Sequence, residues 1–273
     1  MSPGPLRLSV AEIDVLCTLL ALDPPDALEL HDRGEPALTD ARDDLAARGL
    51  LERAGIAATV AATLRRLCCA PLAVELDGPR GLHAVAGVDA ATGVLAVRHG
   101  DDVALRALPS GRAISAVPEL LGPLRPAVGR PVRVPVAVVT DAVAAAGEDT
   151  HRLVVELMRR GVSGAGARTL VDANREVRDV SRIGVTLRHA DGVRHGPYRI
   201  TVQRTASGHR CQRPCAGPPG ALVTAPATGD RLASEIEELI RVTARGQRRG
   251  AGRGSTRPAD TGGIGSRTGA STW

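Results

Sequence analysis

The sequence predicts an α+β fold built as a pseudo-duplicated domain, and three features predict it. The first is period-two alternation. Ile183, Val185 and Leu187 alternate with Gly184 and Thr186, and Tyr198, Ile200 and Val202 alternate with Arg199, Thr201 and Gln203, the pattern of half-buried strands. Asp191-Gly192 between them supplies a turn. The second is an amphipathic helix after Pro226, with Leu232, Ile236, Leu239 and Ile240 on one face and a cap from Thr228 or Asp230. Glu235, Glu237 and Glu238 precede Arg241 and Arg245, which suits the helix dipole. The third is a weaker copy of this strand-then-helix unit half a chain earlier.

Taken in order, Ser9 and Glu12 form a capping box for a first helix through Val10, Ile13, Leu16, Cys17 and Leu20, stopped near Asp23-Pro24-Pro25. A short helix from Thr39 carries Leu45 and ends at Gly49, and a further helical pattern carries Val60, Leu64 and Leu67. Strands are expected at 72–76, 82–88, 94–97 and 103–108, with turns at Asp77-Gly78, Thr92-Gly93 and Gly100-Asp101. A helix over 111–121 is shortened or kinked by Pro118. After a proline-rich link at 123–135, helices are expected at 136–146, 149–160 and 163–177, followed by the late strands and closing helix.

The two halves then align. Leu45 to Leu50 faces Leu157 to Val162, and Leu72 to Leu76 faces Ile183 to Leu187. Thr92-Gly93 faces Ser207-Gly208, and Pro109-Ser110-Gly111 faces Ala227-Thr228-Gly229. The offset grows from 112 at the first glycine pair to 115 and 118 at the later ones, as small loop insertions require. Residues 1–245 therefore read as one domain with halves at about 1–125 and 126–245. Residues 246–273, rich in Arg, Gly, Ser and Thr, read as a disordered tail.

Composition excludes several chemistries. The 273 residues include no Phe, one Tyr and one Trp, so the core is aliphatic. All 35 positive residues are Arg, which rules out a phosphate-loop or Schiff-base lysine. The net charge of +5 resides in the tail: residues 1–130 carry −4, residues 131–240 carry +3 and residues 241–273 carry +6. A near-neutral body argues against a dedicated nucleic-acid-binding domain. Five cysteines argue against a disulfide framework, and no early apolar run is long enough for a signal peptide or membrane span, so a cytosolic chain is expected.

No catalytic set assembles. The seven histidines show no metalloprotease motif and there is no Gly-x-Ser-x-Gly elbow, so a non-enzymatic protein without cofactor is expected. Cys211 and Cys215 lie near His209, but structural zinc needs four ligands and no second pair follows, so free thiols and no metal are expected. Gly161 to Gly166 follows a helix rather than a strand, which suits a C-cap at Gly161 and an N-cap at Ser163 instead of a dinucleotide loop. The rival reading is a winged-helix DNA-binding regulator around Thr39 to Gly55. Helical periodicity over 56–69 and the acidity of this half disfavour it.

The opening Leu8 to Leu16, the Leu45 to Leu51 segment, the Thr205-Ala206-Ser207-Gly208-His209-Arg210 turn and the closing Pro226 to Ile240 helix, in this order, resemble the EspG family over roughly residues 6–245. An arginine-only, alanine-rich composition suits a high-GC actinobacterium. The resemblance implies a quasi-two-fold domain with a central antiparallel sheet flanked by helical bundles. It implies a cytosolic chaperone that binds a helical type VII (ESX) secretion substrate of the PE/PPE type through the sheet and C-terminal bundle. The turn departs from the family at His209-Arg210-Cys211, and the loop 212–220 is unusually rich in Pro and Cys. The partner-binding residues expected on the late strands are Thr186, Arg188, Arg199, Thr201 and Gln203, with Arg231 and Glu235 on the closing helix. A solvated sheet face is the alternative for them.

Overall fold

The computed structural model describes residues 4–28, 35–52, 55–215 and 220–250. Strand β1 (Leu6–Ser9) runs straight into helix α1 (Val10–Leu20). The Ser9 hydroxyl accepts from Glu12 N at 3.1 Å, and Ser9 N donates to Glu12 Oε2 at 2.6 Å, so the expected capping box is present. Glu12 is only 4% exposed, and its other oxygen accepts from Arg48 Nη1 at 2.6 Å. Arg48 follows helix α2 (Glu35–Ala47), so one satisfied carboxylate ties the first two helices together. The two-residue strands β2 (Leu51–Glu52) and β3 (Gly55–Ile56) form a minimal hairpin, and helix α3 (Ala58–Cys68) begins after it.

A meander follows through β4 (Leu72–Asp77), β5 (Leu82–Val88), β6 (Thr92–His99) and β7 (Asp102–Pro109), closed by α4 (Ser110–Glu119). Pro118 sits in the last turn of α4, where it ends the helix rather than kinking it. The second half follows a similar order, without a counterpart of the β2–β3 hairpin and with the additional strand β10: β8 (Val132–Pro135), α5 (Val136–Ala146), α6 (Thr150–Arg159), α7 (Gly164–Asn174), β9 (Asp179–His189), β10 (Gly192–His195), β11 (Ile200–Thr205), β12 (Gly208–Cys215), β13 (Ala221–Pro226) and α8 (Gly229–Gly250). Gly161 adopts φ +88 after α6, and Ser163 Oγ accepts from Gly166 N at 3.1 Å to start α7. Helix α8 continues past Arg245, into the segment expected to be tail; residues 251–273 of that tail lie outside the described residues.

The main sheet is antiparallel, in the order β1-β7-β6-β5-β4-β9-β11-β12-β13-β8, with β10 paired to β9. Read from the centre outward, each half has the same sequence of elements. The two segments aligned above pair with each other: Leu72 opposite Leu187, Val74 opposite Val185, Leu76 opposite Ile183. On one face, α4 and α8 cover Val74, Leu76, Ile183, Val185, Ile200 and Val202 with Ala113, Val117, Leu232, Ile236 and Leu239. On the other face, α1 to α3 cover one end of the sheet through Val85, Val94, Ala96 and Leu105, and α5 to α7 cover the opposite end around Val134, Leu157 and Leu170. A polar strip of sheet lies between these two bundles.

Three further expectations need correction. The proline-rich link 123–135 contains strand β8, whose Pro135 lies at the edge of the sheet, where a missing N–H is tolerated. The Pro- and Cys-rich segment 212–220 is not all loop, because β12 extends to Cys215 despite Pro214. Tyr198 lies outside the strands. The chain crosses from β10 to β11 through Gly196 to Arg199, pinned by Gly196 N donating to Val185 O at 2.7 Å.

An aliphatic core permits close layers, and glycines set their spacing. A Cβ at Gly93 would meet the Ala113 methyl at 2.7 Å, so α4 seats directly on β6. Gly93→Val should destabilise the fold by roughly 1–3 kcal/mol through overpacking, whereas Ala at the unobstructed Gly111 should be neutral or slightly stabilising; urea midpoints of the two variants check this. Arg48→Ala should cost about 1–3 kcal/mol by leaving the buried Glu12 oxygen without its donor, again read by urea unfolding.

Candidate functional site

The strip between the bundles is built by one face of β4, β9, β10 and β11. Glu75 stands opposite Gly184 in the β4–β9 register, and Ile183 opposite Ile200 in the β9–β11 register. Gly184 is thus flanked by Glu75 on one side and Arg199 on the other. A side chain at 184 would begin 3.5 Å from Glu75 Oε2 and 3.6 Å from Arg199 Nε. Its absence lets Glu75 and Arg199 face each other across the strand, at 4.0 Å. One row along, Arg182 Nη1 lies 3.8 Å from Asp77 Oδ2. Both arginine side chains are about half exposed, at 54% for Arg199 and 49% for Arg182, while Glu75 is 15% exposed. Long, screened pairs of this kind contribute little to stability. Their guanidinium groups remain available to a partner.

Thr186 and Gln203 lie on this face but do not reach its surface. Thr186 is 3% exposed; its hydroxyl donates to Glu75 Oε1 at 2.7 Å and lies 3.1 Å from His195 Nδ1. Gln203 is buried under α7, with Nε2 3.4 Å from Asn174 Oδ1. These two residues orient and support the face rather than present it. Arg188 is half-buried with Nε out of solvent, and Thr201 is half-buried beside Arg182. Arg199 is the expected residue most open to solvent on this face.

Arg231 and Glu235 stand on the other side of the sheet. Glu235 is buried between β12 and α8, accepts from Arg213 Nε and has Arg231 Nη1 at 3.7 Å. Arg213 in turn covers the Tyr198 ring, 5.9 Å from its centroid. Burial alone would lower the Arg213 pKa, but Glu235 beside it raises it overall, and burial raises the Tyr198 phenol. The seven expected residues therefore do not converge, because the closing helix packs on the opposite face. Glu75, Asp77 and Arg182 join the strip instead, as does Val193 of β10, opposite Arg188 and 52% exposed. Partners drawn from three neighbouring strands that lie far apart in the chain leave no spacing signal in one sequence, although Glu75 and Asp77 do follow the same period-two alternation as the late strands. Helix α6, in the bundle beside the strip, also leaves Val155 and Met158 exposed.

Cys211 is buried in the α8-side core, which pushes its thiol up to about 11, and Cys215 Sγ accepts from Arg213. A neutral buried thiol is a poor metal ligand. Among the described residues no cluster of three His, Cys, Asp or Glu side chains stands where it could hold a metal. A recess of about 820 Å³ is lined by Leu82, Val202, Arg80, Arg204 and His209. Its polar groups serve the local fold: His209 Nδ1 accepts from Arg125 N at 2.9 Å, and the Thr205 hydroxyl bonds Gly208 O at 3.0 Å. The helices of the rival winged-helix reading are packed as a bundle against the sheet, and the β2–β3 hairpin is only two residues a side.

The fold is that of a chaperone of known structure. The chain is similar, at a TM-score of 0.71 and 18% identity, to the Mycobacterium tuberculosis type VII secretion system chaperone EspG5, solved in complex with a PE25–PPE41 dimer. The likeness covers 88% of this chain and 96% of that one. No curated protein matches the sequence. The profile of the EspG family matches residues 9–238, most of the chain and every element from α1 into α8, and the chain belongs to the EspG family.

Proposed function

We propose that this chain is a cytosolic, non-enzymatic chaperone that binds a helical type VII secretion substrate of the PE/PPE type and keeps it soluble until export. The observation that carries the reading is the polar strip between two helical bundles, with Arg182, Arg199 and Val193 open to solvent on one face. Family membership supports it, and so does the PE25–PPE41 dimer bound by the similar chaperone. No helix among the described residues is long and apolar enough to cross a membrane.

The strip suits an apolar helical tip for a physical reason. Arginine stems cover apolar surface while their guanidinium groups bond carboxylates or the free carbonyls at a helix end. A tip that would otherwise self-associate is then covered without a large hydrophobic patch on the chaperone itself. The strip is carried on hydrogen-bonded strands of the main sheet, so its backbone needs no ordering on binding.

Co-expression with its PE/PPE-type pair and affinity purification should recover a stable ternary complex. Arg182→Glu with Arg199→Glu should weaken capture by at least roughly tenfold, since like charge then meets the carboxylates, with an unchanged melting temperature. Arg231→Glu, on the far face, should leave capture intact. Full capture by the double variant together with loss in the Arg231 variant would transfer the binding surface to the α8 side.

A further inference from the structure

Arg210 is the one fully buried arginine among the described residues, at 2% exposure. It projects from β12 opposite Gln203, on the face covered by α7. Its Nη2 donates to Val128 O at 2.9 Å, but Nε and Nη1 have no protein partner and no carboxylate pairs with it. Burial lowers its pKa, opposed by the more distant Asp172. A buried guanidinium whose counter-charge is not in ion-pair contact remains unfavourable. Water can satisfy the free N–H groups but not the charge.

The surroundings indicate where a counter-charge enters. A side chain at Gly129 would sit 3.3 Å from Thr169 Oγ1 and 3.6 Å from Arg210 Nη1, so these two donors converge on the space that glycine leaves open. Gly129 and Thr169 line a groove of about 700 Å³ between β8 and the α6–α7 turn. Arg130 and Arg133 also line it, and no acidic residue does. A third lining arginine, Arg160, is already bonded to Glu156. The charge balance of the groove is therefore one-sided.

We propose that the inner end of this groove is an oxyanion site that takes free phosphate or sulfate. The oxygens accept from Arg210 Nη1 and the Thr169 hydroxyl, and Arg130 and Arg133 neutralise the remaining charge from the rim. The bound ion then links β12, α7 and the 128–130 segment, fastening the second bundle to the sheet. This site is separate from the strip between the bundles and does not depend on the chaperone reading.

The test uses the full chain at fixed ionic strength, with melting temperature and isothermal calorimetry read against inorganic phosphate, sulfate, acetate and chloride. Phosphate and sulfate should raise the melting temperature beyond chloride, with a measurable binding heat. Arg133→Ala and Thr169→Val should each weaken phosphate binding roughly tenfold or more, as expected for a lost charge-assisted bond. Arg210→Met should abolish it; if that variant does not fold, Arg133→Ala and Thr169→Val carry the test. No advantage of phosphate over chloride for the unmodified chain would overturn the proposal. So would a phosphate response that survives Arg130→Ala, Arg133→Ala and Thr169→Val combined. Acetate equal to phosphate would overturn the assignment to a tetrahedral ion.

Discussion

The antiparallel pairing of β4 with β9 is the constraint on which the remaining structure depends. Each half of the chain makes a half-sheet with one unpaired inner edge, and an exposed edge strand is a liability. Joining Leu72 to Asp77 against Leu187 to Arg182 removes both edges at once and makes one continuous sheet. The buried sides of these strands, Val74 and Leu76 with Ile183 and Val185, then form the centre of the core under α4 and α8. The opposite sides are covered only in part: Ala73 packs with the α1–α3 cluster, while Arg182 and Arg199 stay about half exposed. The polar strip is thus a consequence of the topology: it is the part of the seam between two half-sheets that the bundles leave open on their side of the sheet.

That seam sets its own chemistry. Small and polar residues are tolerated there, and Gly184 makes room for a carboxylate and a guanidinium to meet across a strand. Thr186, itself 3.1 Å from His195 Nδ1, donates to Glu75 and so holds the carboxylate that faces Arg199. Preorganisation of this kind reduces the entropy lost on binding more than it adds to stability. The far side of the sheet shows the contrast. There Glu235 is buried and Arg213 half-buried, and their pairing secures α8 to β12.

Much of the fold was legible in the residues. Helix α5 and strand β5 have the expected bounds, the Ser9–Glu12 capping box forms, and α+β layering followed from period-two runs closed by an amphipathic helix. What escaped were β1, β8 and β10 and the bounds of β12 and β13: prolines and cysteines mask β8, β12 and β13, and β1 and β8 find their ladder partners β7 and β13 far along the chain. The site was only partly legible. Alternation placed Thr186, Arg188, Arg199, Thr201 and Gln203 on a common face, but alternation does not report what covers that face, and α7 buries Gln203. Glu235 of the closing helix was expected at a binding surface, yet it faces Arg213 of β12. Glu75, Asp77 and Arg182 enter only when the halves are joined.

The most direct measurement is hydrogen–deuterium exchange of the chain alone and in complex with a PE/PPE-type pair. The seam account predicts new protection in the 72–77 and 182–203 segments and in the helices bordering the strip, with α4 and α8 unchanged. Protection confined to α8 and β12, with the seam strands exchanging as in the free chain, would contradict it.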